Sequence, residues 1–239
     1  MSSSDASGEI FARFGQPLTP DEQAAVRTIA SALDEDTEAI ALVASYAVEF
    51  RKDLATLAGE LAEPDKETVE TTTRPPRGRA LVAATAIHDG VFLQDRGDLA
   101  EAGRPFRWAS ERFHELDERA AESLALTLYG RVEEMLDHLP VAKQSYRQAL
   151  EIDRALGDQI NESVDLGLLA QVAWLSGRLD EAESLSQEAL ALHRRERDWR
   201  NAVTTLDTLG HIAQERGQAW RARAYFARSW LVGRNVIPF

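Results

Sequence analysis

Cysteine is absent from the 239 residues, which removes disulfides, thiolate nucleophiles and every zinc site built on sulfur. Lysine is scarce: Lys52, Lys66 and Lys143 stand against 24 arginines and 40 acidic residues. That acidic, lysine-poor balance fits two readings, a surface adapted to high salt or an ordinary acidic protein from a GC-rich genome. Residues 1–20 lack a cationic start followed by an apolar stretch, and no run of about 18 apolar residues occurs anywhere. The expectation is a soluble, unexported, cytoplasmic chain without a membrane partner. A net charge of -13 argues against nucleic acid, whose binding rests on Lys and Arg neutralising phosphates. The charge is uneven, since residues 1–78 carry 15 acidic and 7 basic side chains.

Catalytic signatures are also missing. The chain contains no glycine-rich phosphate loop, nucleophile elbow or dinucleotide fingerprint. Its five histidines (His88, His114, His138, His193, His211) are scattered, and none has the i, i+4 partner of a helical metal pair. His88-Asp89 resembles the pair found in metal-dependent phosphohydrolases, but no second histidine cluster completes a ligand set. Asp34-Glu35-Asp36 lies between two expected helices, where acidic residues cap the second. The chain is read as non-enzymatic, with no cofactor and no metal.

What is present is repetition with a period of 40. Gly90, Gly130, Ala170 and Gly210 form one column, and Gly97, Asp137, Gly177 and Gly217 a second, seven residues later. Leu99, Leu139, Leu179 and Ala219 form a third, followed by Ala102, Ala142, Ala182 and Ala222. Phe106, Tyr146, Ser186 and Phe226 precede a last column of Ala109, Ala149, Ala189 and Ser229. Only Asp137 and Ser186 break a column's character. Steps of four and three put the alanine, the aromatic and the following small residue on one helical face. Small residues there let two helices approach closely while the aromatic fills the gap beside them. The glycine column at 97, 177 and 217 marks the end of the first helix of each pair. Ala86, Leu126, Leu166 and Leu206 give that helix its own buried stripe.

At these residues the chain resembles the tetratricopeptide repeat family, which has a small residue in helix A, a turn glycine, and an alanine, aromatic, alanine series in helix B. Residues 175–182, Leu-Ser-Gly-Arg-Leu-Asp-Glu-Ala, are particularly similar. The family's usual period is 34, and 40 falls near the range of HEAT repeats. Units of this length resemble the variant in kinesin light chains and several bacterial regulators, with which Gly157-Asp158 also agrees. The expected fold is all-α, a right-handed α-solenoid of four helix-turn-helix repeats over residues 79–239.

Two further segments precede the repeats. Thr19-Pro20-Asp21-Glu22 has the composition of a capped helix start, and a helix over about 20–33 follows with Val26, Ile29 and Leu33 on one side. A second helix over about 37–63 carries Ile40, Val43, Ala47, Phe50, Leu54, Leu57 and Leu61 at alternating steps of three and four. That seam is covered by the first helix and the first repeat, or it pairs with a second copy. Residues 1–63 are thus a helical segment forming an N-terminal hairpin. Proline-rich residues 64–78 form a linker, or a lid across a groove.

The resemblance implies a binding groove lined by helix A. The family's groove positions fall on Thr127, Arg131 and Glu134 in the second unit and Gly167, Gln171 and Trp174 in the third. In the fourth they fall on Asp207, His211 and Gln214. Trp174 stands in a column of Gln94, Glu134 and Gln214, as a binding anchor or as packing against the next helix. The lysine and asparagine clamp of the family's chaperone-binding members is mostly replaced here, which argues against chaperone C-terminal tails as partners. The implied function is a protein-protein interaction scaffold holding a peptide or protein segment, more suitably basic than acidic given the field of the chain. The alternative is a regulatory module that signals a bound peptide or ligand through the N-terminal helices. At the C-terminal side, Trp220, Trp230, Leu231, Val236, Ile237 and Phe239 fold back as a cap, or meet a partner or a second copy.

Overall fold

A computed structural model describes residues 18–33, 39–41, 43–44, 47, 53–62 and 77–234. Ten helices can be bounded among these, and no strand occurs among them. In chain order they are α1 (Pro20–Ala32), α2 (Leu54–Ala62), α3 (Arg77–Asp95), α4 (Leu99–Glu115), α5 (Arg119–Met135), α6 (Leu139–Leu156), α7 (Gln159–Leu175), α8 (Leu179–Glu196), α9 (Trp199–Glu215) and α10 (Ala219–Gly233). Helices α4, α6, α8 and α10 begin at residues 99, 139, 179 and 219. The 40-residue period of the sequence is therefore the period of the backbone, with α3, α5, α7 and α9 as A helices and the others of each pair as B helices. The chain divides into two compact units, Met1–Ala125 and Leu126–Phe239.

The first unit begins with the capping box that the sequence specifies. The Thr19 hydroxyl accepts from the Glu22 amide at 3.3 Å, and the Glu22 carboxylate accepts from the Thr19 amide at 2.7 Å, so two otherwise unsatisfied donors are paired. Helix α1 buries Val26 and Ile29, with Leu33 just beyond its end, in a core shared with Ile40, Val43, Ala47, Leu54, Leu57 and Leu61. Val82, Ala83 and Ala86 of α3 close the same core. These six side chains of the apolar seam are thus covered from within the chain and present no face to a second copy. Phe50, Asp34-Glu35-Asp36 and residues 64–76 of the expected linker lie outside the described residues.

Each A and B pair is joined at the site of closest approach. A Cβ added to Gly130 would stand 2.6 Å from Tyr146 Cε1, and one added to Gly210 would stand 2.5 Å from Phe226 Cε1. Gly90 has the same relation to Phe106, at 2.7 Å. The aromatic ring lies directly on the glycine backbone, so no larger residue fits without moving it. In the third repeat both partners change together: Ala170 supplies the Cβ and Ser186 removes the ring. The irregularity at Ser186 is therefore a compensated pair.

The turns disclose a second, shorter period. Left-handed backbone occurs at residues 97, 117, 137, 157, 177, 197 and 217, every twentieth position. Gly97 donates its amide to the Gln94 carbonyl and Asp98 to that of Leu93, the paired bonds of a Schellman turn. Asp198 donates to the His193 carbonyl and Asp158 to that of Asp153 in the same way. Turns within repeats and turns between them are thus built alike. Asp117, Asp137 and Arg197 hold this conformation with a side chain attached, at a steric cost that glycine avoids.

In the second unit, ion pairs between consecutive B helices reinforce the apolar contacts. Lys143 of α6 reaches Glu181 of α8 at 2.8 Å and Arg221 of α10 reaches Glu183 of α8 at 3.0 Å, while Arg216, in the turn after α9, also binds Glu183.

Candidate functional site

Within the unit 126–239, the A-helix columns come together as the spacing requires. Residues 127, 131 and 134 of α5 follow at steps of four and three, as do 167, 171 and 174 of α7 and 207, 211 and 214 of α9, so each set shares a helical face. Polar bonds cross from helix to helix along that face. The Thr127 hydroxyl donates to Asp165 Oδ1 at 2.9 Å. Gly167 lets α9 approach closely, since a Cβ there would lie 3.2 Å from Thr205 Oγ1.

Glu134 is the centre of the first cluster. Its carboxylate accepts from the Tyr146 hydroxyl at 2.9 Å, with the Gln171 side chain and the Arg131 guanidinium nearby. Burial raises its pKa above the usual carboxylate value, and these three neighbours only partly oppose that. The Tyr146 hydroxyl is itself held protonated, by burial first and by the Glu134 charge second.

Trp174 organises the second cluster. Its indole stacks on His211 with ring centroids 4.8 Å apart and planes 16° from parallel, and its Nε1 donates to Glu215 at 2.6 Å. His211 in turn meets the edge of Phe226 at 5.1 Å. Trp174 is half-buried against Ala173, Ala182 and Ile212, so packing against the neighbouring helix and presentation on the face are combined in one side chain. Arg131, His211 and Gln214 are exposed, while Thr127, Gln171 and Asp207 are half-buried.

Sequence reasoning passed over several residues beneath this face. Asp153 and Asp165 are both buried at the joint of α6 and α7, where the Asp153 charge adds to burial in disfavouring ionisation of Asp165. Forty residues on, the same joint holds His193 and Thr205, with Nε2 and Oγ1 3.3 Å apart. The corresponding B-helix residue of the first unit is Phe113, also buried. A signal existed: the column Phe113, Asp153, His193 changes from apolar to ionisable at a position that the repeat buries. The pair His88-Asp89 lies on α3, with His88 exposed. Among the described residues no group of three or more His, Asp or Glu is placed to hold a metal ion, and no helix is long and apolar enough to cross a membrane.

Residues 163–229, from within α7 to within α10, match the family model described as tetratricopeptide repeat. Over these residues the hairpins match the tetratricopeptide repeat. No curated protein matches the sequence. Among solved structures, the fold is similar to the crystal structure of BtubC (BKLC) from P. vanneervenii, with a TM-score of 0.62. That likeness covers 98% of this chain and 90% of the other at 15% identity, and at such identity it concerns the fold alone. Tetratricopeptide arrays are typically non-catalytic scaffolds that bind proteins. In such arrays each hairpin buries its core against the next, which leaves the A-helix face to a ligand.

Proposed function

We propose that this chain is a protein-protein interaction module that holds an extended peptide or protein segment along the A-helix face of α5, α7 and α9. One observation carries the reading: that face combines the Trp174–His211 stack with accessible Arg131, His211 and Gln214, on helices whose opposite sides are committed to the core. An exposed edge of a stacked aromatic pair offers apolar area at low entropic cost, and the flanking polar groups fix register.

The partner's chemistry follows from the charges. Glu134, Asp207 and Glu215 outnumber Arg131 along the face, within a chain of net charge -13. A segment carrying Arg or Lys beside an apolar side chain complements that arrangement.

The test is affinity capture from native lysate by the wild-type chain and by a Trp174→Ala, Glu215→Arg variant, with helicity checked by circular dichroism. The expected result is a protein held by the wild type and lost from the folded variant. Retention of every captured protein by the variant would refute the groove assignment.

A further inference from the structure

Helix α10 differs from the rest of this acidic chain in its charge. It contains Arg221, Arg223 and Arg228, is followed by Arg234, and has no acidic residue. From Arg194 onward there are nine arginines and four acidic residues, a net of +5 in a chain of net -13. The guanidiniums crowd one another: the pKa of Arg228 is lowered by burial first and by Arg194 second.

Its register is equally distinctive. Trp230 occupies the repeat position of Leu150 and Leu190. Leu150 packs with Leu166 and Leu169 of α7, and Leu190 with Ala202, Leu206 and Leu209 of α9. Both leucines are 7% exposed because the following A helix covers them. Trp230 is 55% exposed, and among the described residues no helix lies over it. Arg223, Ala227, Trp230 and Arg234 follow at steps of four, three and four, on one helical face, and all are exposed. The Arg234 guanidinium lies 4.7 Å from the centre of the Trp230 ring, and Trp220, 75% exposed, stands at the edge of the face.

We infer that this face of α10 docks an acidic amphipathic helix of another protein, which seats small and leucine side chains on Trp230 and pairs carboxylates with Arg223 and Arg234. Register argues for a helix, because the fold buries this same position under a helix in both preceding repeats. Charge argues for its acidity. A second copy meeting the same face would set Arg223 and Arg234 against their own like charges, and an anionic membrane would find few apolar side chains to bury. The surface lies on a B helix, so it is separate from the groove proposed above and survives that proposal's failure.

The experiment uses the full chain and two labelled synthetic helices. Both carry Ala, Leu and Leu at the spacing of Ala202, Leu206 and Leu209, one with Glu and the other with Lys at the flanking positions. Fluorescence anisotropy is expected to give micromolar binding of the Glu peptide and at least about tenfold weaker binding of the Lys peptide. Trp230→Ala and Arg223→Glu, both on the surface, are expected to weaken the Glu peptide about tenfold with unchanged circular dichroism. Equal affinity for the two peptides, or an affinity indifferent to Trp230→Ala, overturns the inference. So does binding to phosphatidylserine vesicles in place of the Glu peptide, or a dimer that Trp230→Ala dissociates. Deletion of residues 235–239 that raises peptide affinity tenfold would put that segment on the face instead, and overturns it as well.

Discussion

The second and third repeats, compared from Leu126 onward, share one backbone and solve its packing with different side chains. Where the second has Gly130 under the ring of Tyr146, the third has Ala170 and Ser186. Where the second leaves through the acid pair Asp153 and Asp165, the third leaves through His193 and Thr205. Its inter-repeat turn has Gly157, while the third has Arg197 in the same left-handed conformation. The fold thus constrains pairs of positions, and single columns understate that constraint.

The largest effect expected from breaking the comparison is at Gly130. Tyr146 is fully buried and tethered to Glu134, so its ring cannot retreat from a new Cβ. Gly130→Ala should cost about 3 kcal/mol, lowering Tm by about 6–12 °C for a chain of this size. The opposite change, Ala170→Gly, meets no ring and should cost only about 0.5–1 kcal/mol of helix propensity. Thermal unfolding of the two variants separates steric from conformational cost.

Transplanting the third repeat's solution sharpens the point. Gly130→Ala combined with Tyr146→Ser should be less destabilising than the sum of the single changes, by at least about 1 kcal/mol in a double-mutant cycle. Additive costs would mean that the two positions are not coupled.

The two joints should titrate in opposite directions. Burial, then Asp153, pushes the Asp165 carboxyl up to about 8 against the opposing Thr127 hydrogen bond. Because the folded value lies above the unfolded value of about 4, this contribution is fully present at lower pH and is lost as the pH rises toward 8. Asp165→Asn should therefore gain on the order of 2 kcal/mol over the wild type at pH 9 and little at pH 4. His193 runs the other way: burial lowers its pKa and Asp198 opposes the shift. Its contribution is present above the unfolded value of about 6.5 and is lost as the pH falls below it. Chemical denaturation across pH, with His193→Gln beside Asp165→Asn, reads both slopes.

The smallest effect is at the turns. Arg197→Gly relieves a left-handed side chain and should stabilise by about 1 kcal/mol or less, and Gly157→Arg should destabilise by a similar amount. Urea midpoints measured side by side would resolve the pair.

The 40-residue period was legible because helix nesting demands small residues at fixed places, and a substitution there is costly enough to keep the columns visible. Thr19 and Glu22 were legible for a similar local reason, since a capping box involves only neighbours in sequence. The twenty-residue alternation of turns was not, because Asp117, Asp137 and Arg197 tolerate the backbone that glycine marks elsewhere. Ser186 is an exception within its own column because its compensation lies in another, where Ala170 supplies the Cβ that the missing ring leaves room for. The groove columns placed Trp174 and His211 on one face, yet their stacking depends on the distance between α7 and α9, which no single column encodes. Asp153 and Asp165 escaped for the same reason, as their meeting depends on the α6–α7 joint.

The most direct test of the binding account places a photo-crosslinking amino acid at Gln171, on the A-helix face, and at Gln187, exposed on α8. The account predicts a protein adduct from Gln171 and none from Gln187 after irradiation in native lysate. An adduct from Gln187 alone, or no adduct at Gln171 in a chain that still captures its partner, would contradict it.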